Sequence, residues 1–162
     1  MNPSCHAVLS RGLAKLKRLA VVGIGNDLYG DDAAGVIVAR RLQTALAGRR
    51  NVLIVDAGSV PENCTGPLRR FKPDGVLLVD AAQMDARPGE VKCLNWQDIV
   101  GLNTSTHTFP LHVLAGYLSR ELRCPVFVVG IQPEDAAFDK PLSPSVLAAV
   151  DALIPTLVAL LS

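Results

Sequence analysis

Three side chains in this sequence are of the types that bind a divalent metal ion, and they stand in separate segments of the chain. Asp32 ends a glycine-rich loop, Asp80 ends an apolar run, and His107 precedes a helical pattern. Two carboxylates and one imidazole suit a divalent transition-metal ion, and three protein ligands leave positions for water or a substrate group. Because no HExxH or other dedicated zinc motif is present, residue types alone indicate a metal site only weakly.

The elements that would position these side chains are short apolar runs rich in β-branched residues. Runs that are continuous rather than alternating are typical of strands buried on both faces of a parallel sheet. Residues 90–95 add a fifth predicted strand, after a turn at Arg87-Pro88-Gly89. The other four runs are residues 19–24, 52–55, 76–79 and 126–131.

Helical periodicity fills the intervals between these runs, with one apolar face in each helix. Ser143 and Pro144 are a favourable N-cap and first residue for the last helix, and Pro155 should kink that helix. Strands that alternate with helices predict an α/β fold, a three-layer α/β/α domain with a mostly parallel, twisted sheet of about five strands. The helical segments are residues 34–45, 111–122 and 147–161.

This topology would gather polar residues at one edge of the sheet. In an open parallel sheet, ligands bind beyond the carboxyl ends of the strands. The loop 25–32 follows the first run, and Asp56 and Asp80 follow the second and third. The sequence therefore predicts that acidic side chains and His107 converge on a single edge.

The loop after the first run lacks the features of a nucleotide-binding loop. A dinucleotide fingerprint requires G-x-G-x-x-G, whereas Leu28 stands three residues after Gly25. Asp31 and Asp32 would repel a pyrophosphate at this position, and the chain has no GK[ST] P-loop. A G-x-S-x-G nucleophile elbow is also missing, so phosphate binding and serine-hydrolase chemistry are both disfavoured.

Composition excludes several classes of partner. The net charge of +1 and the aromatic content of 4% disfavour nucleic acid, and no segment is expected to reach the length of a transmembrane helix.

The cysteines form no CxxC pair, and scattered cysteines are typical of a reducing compartment. We interpret the cysteines as structural, with Cys64 and Cys93 in surface segments. We therefore expect a soluble, cytoplasmic protein without a membrane partner. The cysteines are Cys5, Cys64, Cys93 and Cys124.

Five motifs follow one another along the chain, over about residues 18–160. They are GIGNDLYGDDAAG (23–35), DAGSVPEN (56–63), LLVDA (77–81), THTFPL (106–111) and GIQP (130–133). In this order they resemble the motifs of the hydrogenase maturation endopeptidases, and together they are more specific than any single motif. The chain resembles most closely the hydrogenase 3 type, which processes the large subunit of a formate-linked or energy-converting [NiFe] hydrogenase.

The resemblance implies a nickel-dependent endopeptidase. Such enzymes remove a short C-terminal extension from the [NiFe] hydrogenase large-subunit precursor after nickel has been inserted into it. Their nickel contacts are an acidic residue that closes the first loop, an aspartate that ends a central strand and a histidine before a helix. These positions correspond to Asp32, Asp80 and His107, and the nickel would be supplied by the precursor. The chemistry would be metal-assisted, and no catalytic nucleophile is assigned.

Other acidic and polar residues have structural interpretations. Asn26, Asp31 and Asp56 are expected to shape the loops or to hydrogen-bond around the site, with turn formation after a strand as the alternative. Asp32 would cap the following helix if it were not a ligand, a role that Asp31 can fill equally well.

The resemblance divides the chain into an N-terminal extension, residues 1–17, and a peptidase domain, residues 18–162. The extension departs from the family, whose members usually begin near the first strand; Leu9, Leu13 and Leu16 would give it a short amphipathic helix. Two other functions compete with the endopeptidase. One is a non-catalytic, nickel-sensing chaperone that binds the same precursor, and the other is a nucleotide-binding regulator, which the acidic pair disfavours.

Overall fold

One five-stranded sheet forms the centre of the protein, whose computed structural model describes residues 3–98 and 110–161. All five predicted strands are present, and the α/β fold class is confirmed. The fifth predicted strand is one residue shorter at each end than the sequence indicates. The strands are β1 (Leu19–Ile24), β2 (Val52–Gly58), β3 (Gly75–Ala81), β4 (Val91–Leu94) and β5 (Val126–Ile131).

The strand order, β2-β1-β3-β5-β4, explains which runs are continuously apolar. β1 pairs in parallel with both β2 and β3, and β3 pairs in parallel with β5, whereas β4 is antiparallel to β5. Every residue of β1 and β3 is buried, because these strands lie inside the sheet and are covered on both faces. β2 and β4 form the two edges and are partly exposed.

Helices cover both faces and give the three predicted layers. Apolar residues of α1, α2 and α5 share one core cluster with the sheet, and those of α3 and α4 share the cluster on the opposite face. The sequence did not predict α3, because its seven residues include Gly66 and Pro67 and are too few to show helical periodicity. The helices are α1 (Pro3–Leu13), α2 (Ala34–Ala45), α3 (Thr65–Phe71), α4 (Leu111–Leu122) and α5 (Pro144–Leu161).

The N-terminal extension contributes to the core of the domain. It forms α1, the predicted amphipathic helix, and Leu9 and Leu13 are buried in the same cluster as residues of α2 and α5. Helix α1 also lies close to β5, since a Cβ atom on Gly12 would be 2.4 Å from the ring of Phe127. The extension is therefore packed against the sheet from its first helix onward.

Helix α5 is long and apolar enough, by length and composition alone, to cross a membrane, with a mean hydropathy of 2.0. The expectation that no segment reaches this length is therefore wrong. Core helices of soluble domains meet the same criterion, and one face of α5, which includes Val150 and Leu157, is buried in the domain core. The exposed side carries Asp151, which forms an ion pair with Arg41 of α2. The helix continues through Pro155.

The direction in which the strands are added reverses at β1. β2 lies on one side of β1 and β3 on the other, so the loops that leave β1 and β3 run to opposite sides and leave a crevice between them. Ligands of open α/β sheets bind in this crevice, beyond the carboxyl ends of the strands. Asp80 is the penultimate residue of β3 and pairs with Gly130 of β5, so it lies at the rim of the crevice.

Candidate active site

Buried polar side chains are concentrated at the carboxyl end of the sheet. Burial of a carboxylate is costly unless partners compensate it, and such groups collect at functional sites. Within the described ranges, four polar or charged residues are buried: Asp31, Asp32, Asp80 and Gln132. Asp31 and Asp32 lie in the 3₁₀ turn Gly30–Ala33 between β1 and α2. Asp80 lies near the end of β3, and Gln132 follows β5.

The loop after β1 closes on Asp32. The backbone of Gly25 has φ of +148°, and a Cβ atom there would be 1.9 Å from the carbonyl oxygen of Asp32, so this position requires glycine. The Asn26 backbone N–H donates to Oδ2 of Asp32 at 2.9 Å. Asn26 Oδ1 in turn accepts from the Leu28 N–H at 3.0 Å, which forms an Asx turn. Asn26 thus has both a loop-closing and a turn-forming contact.

A close helix-to-strand contact places this turn beside β3. A Cβ atom on Gly35 would be 2.2 Å from the carbonyl oxygen of Val79 and 2.3 Å from that of Ile24. The first turn of α2 therefore lies directly against the ends of β1 and β3, and the 3₁₀ turn that precedes it also contacts β3. As a result, Asp32 and Asp80 flank the crevice from its two sides, and both are buried, at 4% and 0% exposure.

Asp31 connects the 3₁₀ turn to the loop between β5 and α5. Its carboxylate accepts hydrogen bonds from the backbone N–H groups of Glu134 and Asp135, both at 2.8 Å, and from that of Ser143 at 2.6 Å. The Ser143 hydroxyl donates a fourth bond at 2.8 Å. Neither Asp31 nor Asp32 caps a helix, because the 3₁₀ turn and α2 both begin without a side-chain cap. The capping interpretation of this acidic pair is therefore wrong.

Ser143 has the N-cap position that the sequence predicts, although its hydroxyl has a different partner. Its carbonyl oxygen accepts the first helical hydrogen bond of α5, from Leu147 at 2.9 Å. Because the hydroxyl donates to Asp31, the start of α5 is tied to the turn that carries Asp32.

Gln132 performs a similar connecting role on the other side of the crevice. Its Oε1 atom accepts from the Met84 N–H at 2.8 Å, and its Nε2 donates to Gln83 Oε1 at 2.7 Å. These bonds fix the start of the β3–β4 loop, which leaves β3 just after Asp80. Gln132 belongs to the GIQP motif, but its connecting role could not be inferred from the sequence, because its partners lie 48 and 49 residues away.

Asp56 lies inside β2, near its end, and is tied to a basic residue of α2. Its Oδ2 accepts from Arg40 Nε at 2.7 Å, and Arg40 Nη1 also pairs with Asp27 at 2.9 Å. The hydrogen bond from Arg40 to Asp56, followed by that to Asp27, raises the pKa of the Arg40 guanidinium. Asp56 Oδ1 also accepts from the Gly58 N–H at 3.1 Å. Asp56 therefore supports the end of β2, opposite Gly23 of β1.

His107, the third predicted metal contact, lies outside the residues that the structure describes. Within the described ranges, no three histidine, cysteine, aspartate or glutamate side chains are grouped as a metal site. The described part of the chain thus provides two carboxylates of the predicted set.

Cys64 has the properties of a structural thiol. It is fully buried, so the expectation of a surface position is wrong. Burial raises the pKa of the Cys64 thiol to about 12, whereas a nucleophilic cysteine needs a lowered pKa and partial exposure. This cysteine at the end of the second 3₁₀ turn, Pro61–Cys64, is therefore unsuited to covalent catalysis.

Exposed apolar side chains stand beside the crevice. Leu28, Tyr29 and Phe138 are 57%, 42% and 64% exposed. The rings of Tyr29 and Phe138 contact edge to face, with centroids 5.4 Å apart. The Asp139 N–H donates to the Leu28 carbonyl at 2.8 Å, so the two loops that Asp31 joins also carry this apolar rim.

Comparison with known proteins decides the family. The family model of the hydrogenase maturation protease HycI matches residues 36–160. A hydrogenase maturation protease homologue of Methanocaldococcus jannaschii is 36% identical over 90% of this chain and 89% of its own length. The hydrogenase 3 maturation protease of Escherichia coli K12 is 34% identical over 79% of this chain and 81% of its own.

The chain belongs to the hydrogenase maturation proteases.

A solved structure agrees with this family in fold and in length. The [NiFe] hydrogenase maturation protease HycI of Thermococcus kodakarensis has a TM-score of 0.87 and 32% identity, over 95% of this chain and 98% of its own. That coverage exceeds what residues 18–162 alone would provide, so part of the N-terminal extension has a counterpart there. The protein is accordingly a protease that acts in hydrogenase maturation, and the resemblance to the hydrogenase 3 type is confirmed.

Replacement of Asp31 by Asn should destabilise this protease. The amide offers a single oxygen acceptor and places an NH₂ group against backbone donors, so buried N–H groups lose their partner. We expect the free energy of unfolding to fall by about 2–4 kcal/mol, measured by urea denaturation. The matched control is Asp135→Asn, whose carboxylate is exposed and accepts one N–H, from Ala137. Equal stabilities of the two variants would contradict the role given to Asp31.

Proposed function

We propose that this protease removes the C-terminal extension of a [NiFe] hydrogenase large-subunit precursor after nickel has been inserted, and that Asp32, Asp80 and His107 contact that nickel. The observation that carries the proposal is the pair of buried carboxylates, Asp32 and Asp80, on the two sides of the crevice at the carboxyl ends of β1 and β3. In a protease of this family, such a pair is suited to a substrate that brings a cation.

The chemistry of the proposed ligands supports an ion that arrives with the substrate. Carboxylates and an imidazole are suitable ligands for a divalent transition metal, but two carboxylates and one histidine without a thiolate give a modest affinity. Three protein ligands also leave coordination positions for groups of the precursor. The crevice would therefore bind a loaded precursor well and an unloaded one poorly, so that cleavage follows nickel insertion.

Catalysis in this proposal does not depend on a nucleophilic side chain. Cys64 is buried with a raised pKa, and the Ser143 hydroxyl donates to Asp31. A metal ion at the crevice would polarise a carbonyl group or activate a water molecule for hydrolysis. The role of the buried carboxylates is then to position the ion against the peptide bond that is cleaved.

The surroundings of the crevice suit a protein substrate. The exposed rim of Leu28, Tyr29 and Phe138 offers an apolar surface next to the carboxylates, and exposed apolar groups of this kind are typical of protein contacts. We propose that the precursor segment that enters the crevice packs against this rim. We also propose that the protein acts in the cytoplasm.

Replacement of Asp80 by Asn should abolish cleavage while the fold is retained. The amide has the same shape but no charge, and loss of a metal-contacting carboxylate should lower the cleavage rate by about 100-fold or more. The assay follows the intact mass of nickel-loaded precursor over time, with circular dichroism to verify folding. The control is Asp151→Asn on the exposed side of α5, which should cleave at the wild-type rate. Normal cleavage by Asp80→Asn would show that the site is assigned wrongly.

The same assay separates the protease from a nickel-sensing chaperone. A chaperone would form a stable complex with the precursor and leave its mass unchanged, whereas the protease shortens it. Membership of the protease family favours shortening.

Replacement of Phe138 by Ala should weaken binding of the precursor more than it slows the chemical step. Loss of one aromatic contact at a protein interface should raise KM for the precursor about 5- to 30-fold, with kcat little changed. Initial rates over a range of precursor concentrations give both constants. The matched control is Val8→Ala, since Val8 is also exposed, at 42%, but lies on α1 beside the start of β5. A KM equal to that of the control would exclude the rim from precursor binding.

A further inference from the structure

Two cysteines from distant parts of the chain meet where α1 packs on β4. The Cys93 thiol donates to the carbonyl oxygen of Cys5 at 3.5 Å. Cys5 belongs to the core on the face covered by α1, α2 and α5, and the half-buried Cys93 packs against that core. The other two cysteines, Cys64 and Cys124, lie in the cluster on the opposite face. The sheet therefore separates the cysteines into one contacting pair and two isolated thiols.

The two thiols of this pair differ in environment. Cys5 is 2% exposed and lies in the first turn of α1, where the helix dipole favours a thiolate. A hydrogen bond between the two thiols, distinct from the one to the Cys5 carbonyl, lowers the pKa of Cys5. The same thiol–thiol bond, and after it burial, raises the pKa of Cys93. After the first ionisation the two thiols therefore share one proton.

Cys93 is the member that a small molecule can reach. It lines an open cleft of about 320 Å³, together with Val8, Trp96 and Phe127. Cys5 is not among the residues that line this cleft. An oxidant can therefore reach Cys93, and the Cys5 thiolate behind it serves first as the base that takes the Cys93 proton and then as the second thiol.

We propose that Cys5 and Cys93 form a reversible redox pair that low-molecular-weight disulfides close into an intramolecular disulfide bond. When the shared proton moves to Cys5, the Cys93 thiolate attacks one sulfur of the small disulfide RS–SR, forms Cys93–S–SR and releases RS⁻. Cys5, once deprotonated, attacks Sγ of Cys93 and releases the second RS⁻. The two thiol protons are taken up by the two RS⁻ groups, so two cysteines are oxidised and RS–SR is reduced to two RSH.

The bond would join the N-terminal helix covalently to an edge strand. Within the described residues β4 pairs only with β5, so it forms an edge of the sheet, and α1 packs against it. Cys5 and Cys93 are 88 residues apart in the sequence. A disulfide bond that closes a loop of this length restricts the unfolded chain and should stabilise the oxidised protein. The pair is separate from the crevice that carries Asp32 and Asp80, and this inference does not depend on the proposed function.

The test uses the full-length reduced protein and 2-hydroxyethyl disulfide as the oxidant. Two of the four thiols should disappear, the intact mass should fall by about 2 Da, and peptide mapping should find Cys5 linked to Cys93. The midpoint of thermal unfolding should rise by about 5–15 °C and return to its initial value after reduction. Four free thiols after treatment, or a linkage between any other cysteines, would overturn the proposal.

Serine variants test the order of the two steps. Cys5→Ser should retain a mercaptoethanol adduct on Cys93, and Cys93→Ser should form no adduct on the buried Cys5. The matched control, Cys124→Ser, should still form the Cys5–Cys93 bond. An adduct on Cys5 in the Cys93→Ser variant would contradict the assignment of Cys93 as the accessible thiol. Peptide mapping of the wild-type protein decides the main claim even if one variant folds poorly.

Discussion

The carboxylate of Asp31 is the constraint on which the geometry of the crevice depends. It joins the turn after β1 to the loop after β5 across 103 to 112 residues of sequence, through three backbone N–H groups and one hydroxyl. A fully buried carboxylate is tolerable only when its oxygens are satisfied in this way. Because Asp32 is the next residue in the same 3₁₀ turn, the bonds of Asp31 also determine where Asp32 lies.

The four acidic residues at this end of the sheet therefore have different roles. Asp31 connects two loops, and Asp56 pairs with Arg40 at the end of β2. Asp32 and Asp80 are left at the crevice where β1 and β3 diverge, the place at which α/β sheets bind ligands. Gly25 and Gly35 make this arrangement possible, because a side chain at either position would collide with backbone atoms. The scaffold thus brings two buried carboxyl groups, Asp32 and Asp80, to one edge of the sheet.

Most of the fold was predictable because its strands are short, continuous apolar runs whose burial on both faces leaves a direct mark on the sequence. Features that depend on long-range contacts were not predictable. The sequence showed the acidic pair Asp31-Asp32 but not that the amides that bind Asp31 lie more than one hundred residues away. It likewise could not show that Cys64 is buried or that Gln132 fixes the β3–β4 loop, since each depends on how the elements pack. The short helix α3 left no periodic pattern, and the apolar length of α5 was underestimated.

Whether cleavage depends on nickel is tested by comparing one precursor in two states. Wild-type protease is incubated with the [NiFe] hydrogenase large-subunit precursor prepared with and without nickel, and the intact mass of the precursor is followed by mass spectrometry. We expect the loaded precursor to lose a C-terminal fragment and the nickel-free precursor to keep its full mass. Equal shortening of both precursors, or no shortening of the loaded one by folded protease, would contradict this expectation.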